Sequence, residues 1–503
     1  MSLKKWFTAL SALVSIPVVA QDSAVFTISD IQANHTVSEL LLVPFFKAGE
    51  QVLVAKGRTA DNEKMFSFYE VGLDKKMKES PSLTVLMPEA ALFYDFASLT
   101  GDKKQSLLFL NSEGVQRFDP ERGGFETLAA LSSMYRKNES PLFEALDFAR
   151  DLNGDGCDDL IMPDFHGYWL RLNDCKGNFQ NEILLNMQVE MRLSRQRPLY
   201  SQFPLYTADV NFDGKIDILF QKDKSFVAFL QKADGSFATD PSLYEIDIDV
   251  IGNSFAEFIR SDERYEDQTD LTETRIVSVE DINGDNIIDI VAEKDRAKGL
   301  FDRSTTYQFH YGSEVNKRLT FRPEPSTSIK LEGIKARNRY IDFTGDGRKD
   351  FVVGSVKIGI GKIIGILLSG SVGIHVNFYE QDEKGTYSKK PTFRKKVSVD
   401  FDMSSGQSSI SVAEMADING DKAKDMILGK GTDKLRIYMA TPTGKKLFKK
   451  KDIELKVDLP KNGELVTTED VNDDGKGDLL IHFDRLGADG ENNKNRFMVL
   501  IAN

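Results

Sequence analysis

Six times along the 503-residue chain, oxygen-bearing side chains recur at alternate positions of a nine-residue stretch. The copies are DLNGDGCDD from Asp151, DVNFDGKID from Asp209, DINGDNIID from Asp281, DFTGDGRKD from Asp342, DINGDKAKD from Asp417 and DVNDDGKGD from Asp470. Positions 1, 5 and 9 are Asp and position 3 is Asn or Thr. The candidate ligand sets are Asp151, Asn153, Asp155 and Asp159; Asp209, Asn211, Asp213 and Asp217; Asp281, Asn283, Asp285 and Asp289; Asp342, Thr344, Asp346 and Asp350; Asp417, Asn419, Asp421 and Asp425; and Asp470, Asn472, Asp474 and Asp478. The backbone carbonyl of position 7 adds a fifth oxygen, from Cys157, Lys215, Ile287, Arg348, Ala423 and Lys476. All-oxygen sets rich in carboxylate suit Ca2+, which accepts six to eight oxygens in flexible geometry. Zinc and copper would call for His or Cys. The sequence therefore predicts up to six Ca2+ ions.

Position 6 is Gly156, Gly214, Gly347 or Gly475, and otherwise Asn286 or Lys422. Gly and Asn enter the left-handed conformation at little cost, as a tight metal-wrapping turn needs; Lys422 fits that need least. An EF-hand would require Glu at position 12 and flanking helices. Position 12 is Met162, Phe220, Ala292, Val353, Leu428 or Ile481, so the EF-hand reading fails in every copy.

Around these loops the chain reads as strand. Each stretch runs into a short apolar segment such as Leu160-Ile161-Met162 or Leu479-Leu480-Ile481. Apolar runs of that length bounded by turns suit strands covered on both faces. Another strand precedes each loop, as in Leu205-Tyr206-Thr207-Ala208, and two or three alternating segments fill the interval, as in Tyr168-Trp169-Leu170-Arg171-Leu172. Start-to-start spacings of 53 to 75 residues then hold about four strands each. A repeated four-stranded unit points to an all-β fold, a β-propeller whose sheets stack around an axis. Upstream, SLTGDKKQS from Ser98 looks like a copy that has lost its outer acids, and FFKAGEQVLVA from Phe45 a fainter one. Eight blades are expected, with seven as the alternative. The last unit, from Val466, is short, and Ala24-Val25-Phe26-Thr27-Ile28 has no local partner. That N-terminal strand is expected to close the ring as the fourth strand of the last blade.

The motif DxNxDGxxD followed by an apolar strand resembles the FG-GAP or VCBS repeat of integrin α-subunit propellers and of many secreted bacterial proteins. The resemblance is clear over residues 88–485. It implies Ca2+ held in the loop between the first and second strands of a blade. Departures are the ligand-poor first blades, Asn286 and Lys422 at the turn position, and insertions at residues 252–274 and 355–373.

Lys4 and Lys5 before an apolar run ending Val18-Val19-Ala20 read as a secretory signal peptide over residues 1–20. One propeller domain, residues 21–503, is expected to follow in an exported protein, periplasmic or secreted. Residues 358–376 are long and mostly apolar, but Lys362 and five glycines favour a piece of the fold over a membrane span. Cys157 and Cys175 are the only cysteines. In an up-and-down blade their two loops share one end, so a disulfide is expected.

The formal net charge of −13 deepens to −15 without Lys4 and Lys5, which argues against a nucleic-acid binder. The metal loops account for much of that acidity. His35, His166, His310, His375 and His482 show no paired spacing, and the acidic run at residues 262–267 reads as a solvated loop. No nucleotide-binding or nucleophile motif appears, so no catalytic residue or organic cofactor is assigned. The leading functional expectation is a binding or adhesion module for a protein or glycan. The alternatives are a polysaccharide lyase or hydrolase on the same scaffold, since fold does not fix function, and a structural subunit of an envelope complex.

Overall fold

The computed structural model describes residues 25–503 except 136–142, 195–196, 202, 255–270, 300–301, 358, 360–370, 401–410 and 442–445. Residues 1–20, read above as a leader, the acidic run at 262–267 and most of the two stretches read as insertions lie outside the described residues. Of the apolar segment 358–376, the end falls in the strand Ser371–Tyr379. Among the described residues no helix is long and apolar enough to cross a membrane.

The chain forms eight four-stranded antiparallel sheets in sequence order. Blades 1 to 7 span residues 36–86, 93–130, 149–185, 205–245, 271–332, 334–400 and 413–456. Blade 8 joins Val466–Glu469, Asp478–His482 and Arg496–Ala502 to the N-terminal strand Phe26–Gln32. That strand begins two residues later than its apolar pattern suggests and runs to Gln32, pairing from Phe26 with Ala502 to Gln32 with Arg496. The count is eight, not seven, and the ring closes through the N-terminal strand. The faint copy at Phe45 becomes a tight hairpin between Thr36–Lys47 and Glu50–Arg58 in blade 1.

The core explains why the short runs that follow position 9 in the second strands are apolar on both faces. Buried side chains fall into clusters that each bridge two neighbouring blades, among them Leu152, Leu170 and Phe220 between blades 3 and 4. Phe351 packs with Tyr307 between blades 5 and 6, and Phe26 with Ile427 between blades 7 and 8. Along one strand Leu160 and Met162 face blade 2 while Ile161 faces blade 4. A β-strand presents alternate residues to opposite faces, so a sheet stacked on both sides must be apolar at every position.

First strands of adjacent blades touch directly. Thr468 Oγ1 donates to Met415 O at 3.5 Å, and the Arg150 guanidinium donates to Leu205 O at 2.8 Å. These strands therefore lie nearest the axis, and the N-terminal strand lies at the rim. Two hairpins the sequence reading did not single out, Glu190–Ser194 with Arg197–Ser201 and Gly312–Glu314 with Leu319–Phe321, are appended outside the blades.

Phe26 is 1% exposed at the closure seam. Phe26→Ala is expected to cost about 3–5 kcal/mol, the usual range for emptying a buried Phe site. Reversible denaturant unfolding checks it, and a loss below about 1 kcal/mol would mean that the closing strand carries little of the ring's stability.

Candidate metal centres

All six nine-residue stretches sit between the first and second strands of blades 3 to 8, and so at one end of the ring. Their backbones share one path. Position 6 has positive φ in every copy, from 65° at Asn286 to 87° at Gly156 and Gly347, and Lys422 is held at 73°. Position 4 is left-handed as well: Gly154, Gly284, Gly345 and Gly420, but also Phe212 at 55° and Asp473 at 56°. Phe accepts that conformation only with strain, and Asp more readily.

The two left-handed steps wrap the backbone around the position 1 carboxylate. Asp281 Oδ1 accepts from the Gly284 and Asp285 N–H groups at 2.7 and 3.2 Å, and its Oδ2 from Asn286 N–H at 2.8 Å. Asp151, Asp342 and Asp417 are wrapped in the same way. Asp209 and Asp470 accept from positions 5 and 6. At position 3, Asn153, Asn211, Asn283, Asn419 and Asn472 donate to the position 5 carboxylate at 2.9 to 3.3 Å. Thr344 instead donates to Asp342 Oδ1 at 3.3 Å. Position 5 is exposed in all six loops, and its Oδ1 accepts from the N–H of position 7.

Position 9 behaves differently. Asp159, Asp217, Asp289, Asp350, Asp425 and Asp478 are each 0% exposed. In every copy one oxygen accepts the N–H of position 2 in its own loop, at 2.9 to 3.2 Å. The other accepts an N–H from the end of the third strand, at 2.6 to 2.9 Å: Asn173, Gln231, Gly312, Gln381, Ala440 and Ala502. Burial pushes these carboxyls up, to about 7 for Asp159 and Asp289 and about 6 for Asp217, Asp350, Asp425 and Asp478. The acids at positions 1 or 5 add to the rise.

Each predicted set is thus gathered into one turn, with the carboxylate at 5 exposed, that at 1 partly buried (Asp417 fully, at 4%) and that at 9 beneath. Among the described residues the only acid, Cys or His ligand atoms found three together within 4.8 Å are those of Asp155, Cys157 and Cys175. Those sulfurs form the expected disulfide, which ties the blade 3 loop to the turn between its third and fourth strands. The donor chemistry of the six loops fits Ca2+: every donor is oxygen, and the carboxylates outnumber the cations near them. Those cations are uneven. Asp213 pairs with Lys215 at 3.1 Å, Asp346 with Arg348, and Asp474 with Lys75 of blade 1 at 3.1 Å. Asp155, Asp285 and Asp421 have no such partner among the described residues.

Neighbouring loops also bond to one another around the ring. Asp158 N–H donates to Ser98 O at 2.7 Å, Lys424 N–H to Phe343 O at 3.1 Å and Gly477 N–H to Asp417 O at 2.6 Å. Gln231 and Gln381 side chains donate to Asn153 O and Ile282 O at 3.0 and 2.8 Å. The loop from Ser98 joins this ring without its outer acids; there Thr100 Oγ1 donates to Asp102 at 2.7 Å. Blade 2 uses Asp95 as its tether, one oxygen accepting from Phe148 and Ala149 N–H of blade 3 at 2.9 and 3.0 Å.

Two signals in the sequence went unread. Position 2 is always apolar and always buried: Leu152, Val210, Ile282, Phe343, Ile418 and Val471. A second repeat lies between third and fourth strands, where Met77, Phe237, Tyr387 and Phe448 each bridge back to Val71, Gln231, Gln381 and Ala440 and plug the inter-blade core. His35, His310 and His482 are buried packing residues, and His166 is exposed: His35 bonds Ser67 Oγ at 2.8 Å, and burial lowers His482 to about 4.

No family model matches the chain, and no curated protein matches it. Among solved structures, an Agrocybe aegerita lectin, described by its specific recognition of non-reducing terminal N-acetylglucosamine, is 17% identical over 83% of this chain and 94% of that one, with a TM-score of 0.43. The Dos1 propeller is 10% identical over 95% and 94%, with a TM-score of 0.41. The V. cholerae biofilm matrix protein Bap1 is 10% identical over 92% and 77%, with a TM-score of 0.26. Values this low carry no argument about function.

Two predictions follow from the tethers. Asp425→Ala strands the buried Ile418 and Ala440 N–H groups, at about 1–3 kcal/mol each, so denaturant unfolding should show a loss of several kcal/mol. Asp95 is raised by burial to about 7, so the folded state holds its proton more tightly than the unfolded chain does. Its contribution to stability is full below the unfolded value near 4 and is lost as pH rises through 7. Asp95→Asn should therefore flatten the stability change between pH 5 and 7.5 (about two and a half units), measured by unfolding at each pH.

Proposed function

We propose that this chain is an exported propeller of the FG-GAP or VCBS type, stabilised by Ca2+ and serving as a binding module for a protein or glycan. The observation that carries the reading is the sixfold recurrence of one oxygen-lined turn, built alike at one end of the ring. Positions 1, 3 and 5 and the position 7 carbonyl would hold the ion from the solvent side, with the position 9 carboxylate below. Bound there, Ca2+ supplies positive charge that offsets carboxylates brought close together. The chain's own residues do the remaining work. Position 1 orders the turn through its N–H contacts, position 9 ties the turn to the third strand, and the loop-to-loop bonds couple each turn to its neighbour.

Such sites make the ion a structural part of the ring and leave the blade surfaces to bind. The Cys157–Cys175 disulfide supports an oxidising compartment, in keeping with the leader.

Ligand that binds only the native state raises stability by mass action. Chelation is expected to lower the melting temperature by several degrees, and millimolar Ca2+ to restore it. Elemental analysis should find up to six Ca2+ per chain. An unchanged melting curve together with no bound Ca2+ would remove the metal reading. An array of immobilised glycans and capture of purified candidate proteins test the binding role; turnover of a polysaccharide would replace it with an enzymatic one.

A further inference from the structure

Away from the loops, the outer halves of blades 5 and 6 enclose a groove of about 450 Å³. One wall carries Lys330, from the fourth strand of blade 5, and the other carries Lys357, Lys389, Lys390 and Arg394 of blade 6. Among the described residues Glu332 is the one acid lining it, and it pairs with Lys330 at 2.9 Å. Among the described residues no carboxylate lies within ion-pair distance of Lys357, Lys389, Lys390 or Arg394. In a chain of net charge −13, this local excess of cations runs against the average.

Arg394 is also held in place. Its Nε donates to Asn377 Oδ1 at 2.8 Å, and Asn377, 1% exposed, is fixed in turn by Ser355 Oγ at 3.2 Å. That contact spends Nε and leaves the terminal guanidinium nitrogens without a partner among the described residues. Glu332 registers the same field: its bond to Lys330 and the nearby Lys357 and Arg296 lower its carboxyl.

We propose that this groove binds an acidic polysaccharide, with carboxylate or sulfate groups spaced along the sugar chain. This deepens the binding-module reading, on which it rests. Lysines act as point charges suited to single anionic groups, and an oriented Arg can take one bidentately. Single-stranded nucleic acid needs exposed aromatic platforms for its bases. Of the aromatic rings that line the groove among the described residues, Tyr379 is 2% exposed and His375 is partly buried, so neither is an open platform. A membrane surface is disfavoured because the site is concave and, among the described residues, no exposed large apolar side chain lines it.

The test uses the full chain in Ca2+-containing buffer, with polygalacturonate and dextran sulfate as probes and neutral dextran, polyglutamate and oligodeoxythymidylate as controls. One or both acidic polysaccharides should bind, more weakly as salt rises, and neutral dextran should not. Lys389→Glu with Lys390→Glu lies on an exposed turn and should weaken binding by about tenfold or more with an unchanged melting curve. Lys357→Gln, on a separate strand end, should weaken it in the same direction. The assignment is overturned if neither polysaccharide binds, if both variants bind as the parent does, or if polyglutamate or the oligonucleotide binds more tightly. Neutral glycans or a protein binding while the acidic probes fail would sink the groove and leave the binding module standing. Blanks in every arm, arrays included, would remove both.

Discussion

A carboxylate with no contact to water holds each of blades 3 to 8 together. Position 9 starts the second strand, reaches back to the beginning of its own loop and across to the end of the third strand. Three chain segments meet at one side chain, and two main-chain donors that would otherwise be buried without partners are satisfied. Burying a charged group is costly, and hydrogen bonds repay only part of that. The raised values of all six carboxyls show the remainder. Nothing shorter than Asp at that register could reach both donors, and Ser106 at the corresponding place in blade 2 goes with a different tether through Asp95.

The architecture was legible because propeller physics writes itself twice into the sequence. Stacked sheets need strands apolar at every position, and the loop before the second strand needs acids at odd positions. Those two patterns located six blades, and the lone strand at Phe26 pointed to the closure with Arg496–Ala502. What escaped notice had weaker patterning. Position 2 is apolar in every copy, but one apolar residue among acids carries no period to detect. The left-handed step at position 4 is invisible where Phe212 and Asp473 occupy it, because propensity points to Gly for such a step. The two appended hairpins share no motif with the blades.

Electrostatically the six loops are not equivalent, although their ligand letters nearly are. Among the described residues blades 4, 6 and 8 bring a lysine or arginine to the position 5 carboxylate, and blades 3, 5 and 7 do not. The difference comes from position 7, whose side chain has no part in the proposed ligand set and so is free to vary, and from Lys75 reaching over from blade 1. Exposed ion pairs of this kind are weak in water. They still place a cation where a second cation would sit, which makes neighbouring turns unlike in local field.

The closing strand also orders events in time. Thr27 and Asn503 are hydrogen-bonded across 476 positions, so the N-terminal strand of the ring waits for the strand Arg496–Ala502 before it is paired. Until then the chain carries two open edges, each offering unpaired main-chain groups to any other strand nearby. Contacts this distant in sequence also slow the final step, since the ends must find each other before any stability is returned. A ring built this way has no partly finished form that hides its edges. A chain interrupted anywhere before its last strand remains distinguishable from a completed one, and exposed to whatever inspects or degrades it.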